Sequence, residues 1–309
     1  MDTRRIGSLD VSTVGLGCNN FGWHLDEPAS RKVVHAALDA GITHFDCADV
    51  YGEGESERIL GRALGDRRDD VVVVTKFGIK TGGSPENVRR SIEASLGRLG
   101  MDHVDLYYLH RPDADTPIAD TLGAMSRLVE EGTVREIGCS GFSPEQMREA
   151  AAVQSEARFV AVQNEYSLLH RDPEGDGGVL DTAREVGMAF VPFFPLKSGL
   201  LTGKYRRGDA APEGSRLSGV EGSFFKGQGD ELLTEDNLDT VERLIAVAEA
   251  CGHTVLDLAF AYLLAHDPVA SVIAGATKPS QIPSNVEAAG WTLSQDDLDA
   301  VDEALAQAA

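Results

Sequence analysis

Four polar side chains in this sequence have types and spacing that suit acid–base chemistry: Asp46, Tyr51, Lys76 and His110. A tyrosine has an ordinary pKa of about 10, and a neighbouring ammonium group lowers that pKa by stabilising the phenolate. Lys76 can supply the ammonium, and Asp46 can keep it protonated away from water. His110 can donate a hydrogen bond to a carbonyl oxygen. The four residues therefore predict a general-acid site for reducing a carbonyl, with Tyr51 as the proton donor.

Each of these residues also has a purely structural interpretation. Lys76 could form an ordinary salt bridge, and Tyr51 could pack in a loop. A lone histidine such as His110 is more often a hydrogen-bonded core residue than a catalyst. An aspartate after an apolar strand, such as Asp46, is more often a helix or turn cap. The catalytic interpretation depends on all four residues standing at strand ends that meet at one edge.

Apolar segments that predict β-strands precede each of the four residues. The β-branched run Val71–Thr75 predicts a strand buried on both faces, as in a parallel sheet. Helical patterns separate the strands, and prolines after Ser84, Thr116 and Ser143 mark three helix starts with those side chains as N-caps. The eight predicted strands are residues 14–17, 43–45, 71–75, 104–109, 134–138, 160–163, 189–192 and 271–274.

Eight strands alternating with helices predict an α/β fold, a (β/α)8 TIM barrel. A β-hairpin around Gly7 precedes the barrel, and an extra C-terminal helix begins near Ser294. A long glycine-rich stretch, residues 201–234, follows the seventh strand, and no break in composition marks a linker. Residues 1–309 are therefore predicted to form a single domain. Because such barrels keep their chemistry at the C-terminal ends of the strands, the four side chains should converge on one mouth.

Composition and charge disfavour several other classes of function. The net charge of −22, from 28 basic and 50 acidic residues, opposes binding to nucleic acid and to anionic membranes. No apolar run approaches the roughly 20 residues of a membrane span, and the N-terminus lacks the apolar segment of a secretory signal, so a cytoplasmic location is expected. The four cysteines lack disulfide or metal-ligand spacing, so no metal is expected: Cys18, Cys47, Cys139 and Cys251.

Four motifs lie around the strand ends: Phe45–Gly52 (FDCADVYG), Val74–Lys76 (VTK), Asp105–Arg111 (DLYYLHR) and Val162–Leu168 (VQNEYSL). Together they closely resemble the motifs of the aldo-keto reductase family. The resemblance runs from about Ile6 to Ala288. It implies a barrel closed at its bottom by the hairpin and NADPH-dependent reduction of an aldehyde or ketone to the alcohol. It also implies a catalytic tetrad. Tyr51 donates the proton, Lys76 and Asp46 adjust the pKa of Tyr51, and His110 orients the substrate.

The resemblance further implies the binding sites of the cofactor, NADPH or NADP⁺, with NADH less favoured. Ser140 and Gln163 match contacts to the nicotinamide carboxamide, and Phe193 matches the aromatic residue that stacks on its ring. The other implied cofactor contacts are Cys18 and Asn19 near the ribose, Pro195, Leu196, Ser198, Lys204 and Arg216 around the pyrophosphate, and Gly275, Thr277, Lys278, Gln281 and Asn285 around the adenosine phosphate. Thr277 and Lys278 precede a predicted helix, whose N-terminus favours phosphate.

The sequence departs from the family pattern at several of these positions. Gly141 stands where the family often has asparagine, which leaves one carboxamide contact either missing or supplied by Asn164. Gln281 replaces an arginine found in some members, which weakens the expected grip on a 2′-phosphate. A pocket for a small carbonyl or sugar substrate is implied at Asn20, Phe21 and Trp23, although Trp23 could equally pack under its loop.

Three other functions stay open at this stage. The same site could oxidise a sugar or alcohol with NADP⁺. The chain could be a cofactor-binding regulatory subunit similar to those attached to potassium channels. A metal-dependent barrel lyase or hydrolase using Asp46, Asp49, His110 and Glu165 is a weaker candidate, because the sequence has no His-x-His or comparable cluster. The physiological substrate and the oligomeric state are not predicted.

Overall fold

A sheet of eight parallel strands forms the centre of the structure, a computed structural model that describes residues 1–212, 215–218 and 231–306. A two-stranded antiparallel hairpin precedes it. The hairpin strands are β1 (Thr3–Ile6) and β2 (Leu9–Ser12), and the sheet strands are β3 (Val14–Gly17), β4 (His44–Asp46), β5 (Val72–Phe77), β6 (Val104–Leu109), β7 (Val134–Ser140), β8 (Phe159–Glu165), β9 (Ala189–Phe193) and β10 (Val272–Gly275).

The sheet closes into a barrel. Its strands follow the chain order from β3 to β9, and β10 pairs with β3. The segment just before β10 pairs with β9. The backbone N–H of Phe190 donates to the carbonyl of Pro268, and the N–H of Ala270 donates to the carbonyl of Phe190, both at 2.9 Å. A parallel bridge between Phe190 and Val269 completes the ring. The predicted (β/α)8 barrel is confirmed.

Helices surround the barrel and bury their apolar faces against it. Two helices, α7 and α8, lie between β9 and β10, as the sequence predicts. The helices are α1 (Glu27–Asp39), α2 (Glu55–Leu64), α3 (Pro85–Leu99), α4 (Ile118–Glu130), α5 (Pro144–Ala152), α6 (Val179–Val186), α7 (Glu235–Ala250), α8 (Val255–Ala265), α9 (Gln281–Ala288) and α10 (Gln295–Ala306).

Two of the three predicted helix caps form. The hydroxyls of Ser84 and Ser143 accept from the backbone N–H groups of Asn87 and Gln146. The prediction for Thr116 is wrong, because Pro117 takes the N-cap position of α4 without a side-chain cap. The Thr116 hydroxyl instead donates to Asp113 at 2.8 Å.

The N-terminal hairpin fills the bottom of the barrel. Ile6, Leu9 and Val11 are buried in one cluster with interior side chains of the barrel strands, including Val72 and Leu106. The last predicted helix is also present, and Ser294 and Asp297 cap its start through reciprocal bonds of 2.8 and 3.2 Å. The bottom is therefore packed shut, and the opposite end carries the polar strand ends.

In the described part of the chain, no single helix has the length and apolar composition to cross a membrane. Helices α7 and α8 meet those two criteria only as a pair, with a bend of 87° between them. Much of the glycine-rich stretch predicted after the seventh strand, namely 213–214 and 219–230, lies outside the described residues.

Six of the eight barrel strands extend one or two residues further than predicted at their C-terminal ends. Asp46, Ser140 and Glu165 are the last residues of β4, β7 and β8, and Lys76 is the penultimate residue of β5. Polar residues at these positions weaken the apolar signal, although the backbone still pairs with its neighbours. These side chains are therefore held by the sheet itself, which is more rigid than a loop.

Candidate active site

A buried ion pair lies at the centre of the polar mouth. The Nζ of Lys76 is 2.5 Å from Oδ2 of Asp46, and it also donates to the backbone carbonyl of Cys47 at 2.9 Å. Burial acts to lower the pKa of Lys76, but the charge and hydrogen bond of Asp46, together with the neighbouring Tyr51 and Cys47, outweigh it, and the net pKa is raised. The second carboxylate oxygen of Asp46 accepts from Nε2 of Gln163 at 3.0 Å. Lys76 is therefore a fixed, fully protonated cation.

Tyr51 lies on a tight turn beside this pair. The turn spans Tyr51–Gly54, and Gly52, Glu53 and Gly54 all have positive φ, so it depends on glycine at two positions. A side chain at Gly52 would meet the backbone carbonyl of Phe21 at 2.8 Å. The Tyr51 hydroxyl is 3.5 Å from Nζ of Lys76, at the limit of a hydrogen bond. The phenol is therefore close to the cation without being tightly bound to it.

The pKa of Tyr51 differs from the expectation. Burial raises the pKa of Tyr51 to about 12, and the opposing effect of the Lys76 ammonium does not reverse this. The prediction of a lowered value considered the cation alone and left out the loss of water around the phenol. Tyr51 is therefore almost entirely protonated at neutral pH, as a proton donor must be.

His110 faces Tyr51 across the mouth. Their ring centroids are 6.0 Å apart with an interplanar angle of 85°. Burial, followed by the charges of Lys76 and Arg111, lowers the pKa of His110 to about 2, so the imidazole is neutral. Its Nδ1 is buried and has no hydrogen-bond partner among the residues that the structure describes. A neutral imidazole still offers one N–H, which can orient a carbonyl oxygen.

The four residues divide into two pairs by exposure. Asp46 and Lys76 are 3% and 0% exposed, whereas Tyr51 and His110 are half-buried and reach the surface of the mouth. A substrate can thus contact the phenol and the imidazole, while the charged pair stays behind them. All four predicted side chains are brought together, as the barrel requires.

The residues predicted to bind a cofactor lie along the same edge of the barrel. Gln163 is buried and committed to Asp46, and Ser140 is buried at the end of β7. The side-chain amide of Asn164 is engaged with the backbone after β7. It accepts from the N–H of Gly141 at 2.9 Å and donates to the carbonyl of Phe142 at 3.0 Å. The others lie at or beyond the C-terminal ends of three strands: β3 (Cys18, Asn19), β9 (Phe193, Pro195, Leu196, Ser198, with Lys204 and Arg216 further on) and β10 (Gly275, Thr277, Lys278, Gln281, Asn285).

The segment after β9 has an unusual backbone. Phe194, Lys197 and Ser198 all have positive φ, which is uncommon for residues other than glycine. Nζ of Lys197 pairs with Glu165 at the end of β8 at 2.5 Å, which holds this segment against the mouth. Phe193 remains half-buried and packs edge-on against Phe194, with ring centroids 5.4 Å apart.

Backbone N–H groups just before α9 form an arrangement that suits an anion, and the side chain of Gln281 occupies it. Oε1 of Gln281 accepts from the backbone N–H groups of Thr277 and Lys278 at 2.7 and 3.0 Å, and from the Thr277 hydroxyl at 3.3 Å. These donors suit a phosphate oxygen equally well. The Gln281 amide therefore stands where an anionic oxygen would bind.

The three residues predicted for a substrate pocket differ in exposure. Asn20 is buried, and its amide links the backbone of Ala276 to the guanidinium of Arg216. Phe21 has no exposed surface because it packs in the layer between the strands and the helices. Trp23 is 37% exposed, and its indole donates to the carbonyl of Asn19. Of the three residues, Trp23 therefore has the exposed side chain at the mouth beyond β3.

Two of the three carboxylates that the metal site would need, those of Asp46 and Glu165, are engaged elsewhere. Both oxygens of Asp46 accept hydrogen bonds, and Glu165 pairs with Lys197. No group of three metal-ligating side chains occurs among residues 1–212, 215–218 and 231–306. The metal-dependent lyase or hydrolase is not supported.

Sequence reasoning missed a second polar cluster on the outer side of β5. Glu57 is fully buried and bonds Thr75 and Arg98. A signal was present, because Glu57 shares the buried face of α2 with Ile59 and Leu60. A charged residue on an apolar face needs a buried partner, and here that partner comes from α3.

Comparison with known proteins agrees with this arrangement. Residues 13–306 match the model of the Aldo/keto reductase family. L-glyceraldehyde 3-phosphate reductase of Escherichia coli K12 is 34% identical, covering 96% of this chain and 90% of its own. A probable voltage-gated potassium channel subunit beta of Arabidopsis thaliana is 36% identical, covering 91% and 88%. The structure of the glycerol dehydrogenase from Gluconobacter oxydans superposes with a TM-score of 0.84 at 32% identity, over 99% and 95% of the two chains. The protein thus belongs to the aldo/keto reductase family of oxidoreductases.

Proposed function

We propose that this protein reduces aldehydes or ketones of small molecules to alcohols with NADPH, as a single barrel domain, and that Tyr51 donates the proton. The observation that carries the proposal is the division of the four residues by exposure. Tyr51 and His110 reach the mouth, and the ion pair of Lys76 and Asp46 lies buried behind the phenol. A general acid must be within reach of the substrate, whereas the group that stabilises its anion need not be.

The electrostatics favour reduction over oxidation. Reduction needs the phenol form of Tyr51, which dominates at neutral pH because burial raises the pKa of Tyr51 to about 12. Oxidation of an alcohol needs the phenolate, which is rare under the same conditions. As the proton leaves Tyr51, the ammonium of Lys76, 3.5 Å from the hydroxyl, stabilises the negative charge that forms. His110, being neutral, orients the carbonyl oxygen through an N–H without competing as an acid.

A bound nicotinamide cofactor would supply the hydride. The donor set at the mouth fits such a molecule. The N–H groups of Thr277 and Lys278 bind an amide oxygen in this structure and suit a phosphate oxygen, and the ammonium of Lys278 adds the charge that a 2′-phosphate requires. Gly275 at the end of β10 is exposed and has no side chain, so its backbone is accessible to a ligand.

The substrate is expected to be a small sugar-like or phosphorylated carbonyl. The named relatives support this class, because one reduces L-glyceraldehyde 3-phosphate and another is a glycerol dehydrogenase. A cytoplasmic location belongs to the same proposal. It is supported by the four free cysteines, since three of them are buried as thiols and none forms a disulfide in the described chain.

The test is turnover of NADPH against a panel of aldehydes, ketones, dicarbonyls and sugar phosphates, followed by the absorbance of the reduced nicotinamide. Binding of NADPH and NADH is measured separately by fluorescence. Turnover of any carbonyl supports the proposal. Tight NADPH binding without turnover in either direction would contradict it, and would favour a cofactor-binding regulatory subunit such as the channel-subunit relative. Faster oxidation of alcohols than reduction of carbonyls at neutral pH would instead favour the dehydrogenase.

A further inference from the structure

A carboxylate without a role in the proposed chemistry lies just behind the Tyr51 turn. Glu57, in the first turn of α2, is 0% exposed. Its Oε1 accepts from the Thr75 hydroxyl at 2.6 Å, and its Oε2 accepts from Nε of Arg98 at 2.5 Å. Burying a carboxylate is costly unless it is paired and hydrogen-bonded, and Glu57 has both kinds of partner. It therefore joins α2 to β5 and to α3.

The bond to Thr75 reaches the neighbour of Lys76. Successive side chains of a strand point to opposite faces, so Lys76 enters the barrel while Thr75 points towards the helices. One position of β5 thus carries the cation of the site, and the preceding position anchors α2. Any movement of α2 relative to β5 is resisted at the residue adjoining Lys76.

The bond to Arg98 supports the turn that carries Tyr51. A Cβ placed on Gly54 would lie 2.6 Å from Cδ of Arg98, so the arginine stem packs directly against the backbone of the turn. Arg98 also donates to Ser95 at 3.1 Å, which orients it from its own helix. Among the residues that the structure describes, the hydroxyl of Tyr51 has only the hydrogen bond of 3.5 Å with Lys76. The position of the phenol therefore depends on Arg98, which packs against the backbone of the turn.

We propose that Glu57 is a positioning residue for proton transfer, because it sets the separation of the Tyr51 hydroxyl from the Lys76 ammonium. It does so by tying α2 to Thr75 and by holding Arg98 under the Tyr51 turn. The inference rests on the proposed function, in which Tyr51 gives the proton. Glu57 touches neither substrate nor cofactor in this proposal, so its loss lowers the rate of the chemical step and leaves binding intact.

The first experiment compares two substitutions on the strand. Thr75→Val preserves the shape of the side chain but removes the hydrogen bond to Glu57, whereas Thr75→Ser retains a hydroxyl. We expect the kcat of Thr75→Val to fall about tenfold and that of Thr75→Ser to stay within about twofold of the wild type, since small misplacements of reacting groups are costly. KM and the fluorescence Kd for NADPH should not change in either variant.

A second readout does not need turnover. Hydrogen–deuterium exchange of the backbone amides of residues 48–54 should become faster in Thr75→Val and remain as in the wild type in Thr75→Ser. Glu57→Gln leaves Arg98 without its charge partner, and its kcat should fall about a hundredfold. Glu93→Gln, an exposed change on α3, is the control that should alter neither kcat nor exchange.

The outcomes separate the two proposals. Wild-type kcat and exchange in Thr75→Val would overturn the role of Glu57 and leave the proposed function standing. A lower Tm in Glu57→Gln, with unchanged kcat per folded molecule and unchanged exchange at 48–54, would likewise reduce Glu57 to a structural residue. If Glu57→Gln fails to fold, the Thr75 pair decides. If the wild type turns over no carbonyl, the proposed function fails, and the exchange comparison still tests the positioning.

Discussion

Replacing Tyr51 with phenylalanine removes one oxygen atom and tests the proposed acid directly. General-acid catalysis by a positioned side chain is typically worth about 10²- to 10⁴-fold, so kcat should fall by that factor. The corresponding loss of transition-state stabilisation is about 3–5 kcal/mol. The folded state should lose far less, because the hydroxyl makes only a 3.5 Å contact with Lys76. We expect the free energy of unfolding to change by less than about 1 kcal/mol.

The pH dependence of the wild type follows from the same groups. The pKa of Tyr51 is raised to about 12, and that of His110 is lowered to about 2, so neither residue titrates between about pH 5 and 9. The kcat for reduction should show no inflection from these two groups in that interval. Steady-state kinetics across the interval, with the cofactor saturating, gives the measurement.

Tyr107→Phe is the matched control. Tyr107 lies in β6, is fully buried, and its hydroxyl has no hydrogen-bond partner in the part of the chain that the structure describes. Its removal should leave kcat unchanged and, by relieving an unpaired buried hydroxyl, should raise stability by about 1 kcal/mol. The reasoning is refuted if Tyr51→Phe retains wild-type turnover, or if both variants lose activity equally.

Three further predictions follow from the charges. Lys76→Met leaves the Asp46 carboxylate buried without its cation, so urea unfolding should show a loss of about 3–5 kcal/mol; adding Asp46→Asn should recover most of it, and no recovery would argue against the ion pair as the cause. Lys278→Ala should weaken binding of NADPH at least about tenfold more than binding of NADH; equal weakening, or the same effect from the exposed Lys32→Ala on α1, would exclude a grip on the 2′-phosphate. Burial, and then the charge of Glu57, raises the pKa of Asp49 to about 6. The native state therefore binds more protons than the unfolded state between about pH 4 and 6. The free energy of unfolding falls as pH rises through that window. Asp49→Asn should therefore stabilise the protein by about 3 kcal/mol at pH 8 and have little effect near pH 4. A gain that does not depend on pH would contradict this assignment.

The order of elements and the members of the site follow from local patterns. The run Val71–Thr75 predicts a fully buried parallel strand, and β5 is buried throughout. The serine before each of two prolines predicts a cap, and Ser84 and Ser143 form those caps. Once eight strands are predicted, their C-terminal ends must share one edge, so Tyr51 and Lys76 come together although 25 residues separate them. Periodicity and turn chemistry are encoded within a few residues, which is why they can be predicted from the sequence.

The burial, hydrogen-bond partners and pKa shifts of these residues were decided only by the tertiary structure. Glu57 looks like Glu55 in the sequence, yet one is buried against Arg98, 41 residues away, and the other is paired at the surface. Gln163 bonds Asp46 across 117 residues, although its motif implied a cofactor contact alone. Burial also reversed the expected shift in the pKa of Tyr51. Each of these outcomes depends on how much water is removed from a group and on which strands become its neighbours, and both quantities exist only after the barrel has closed.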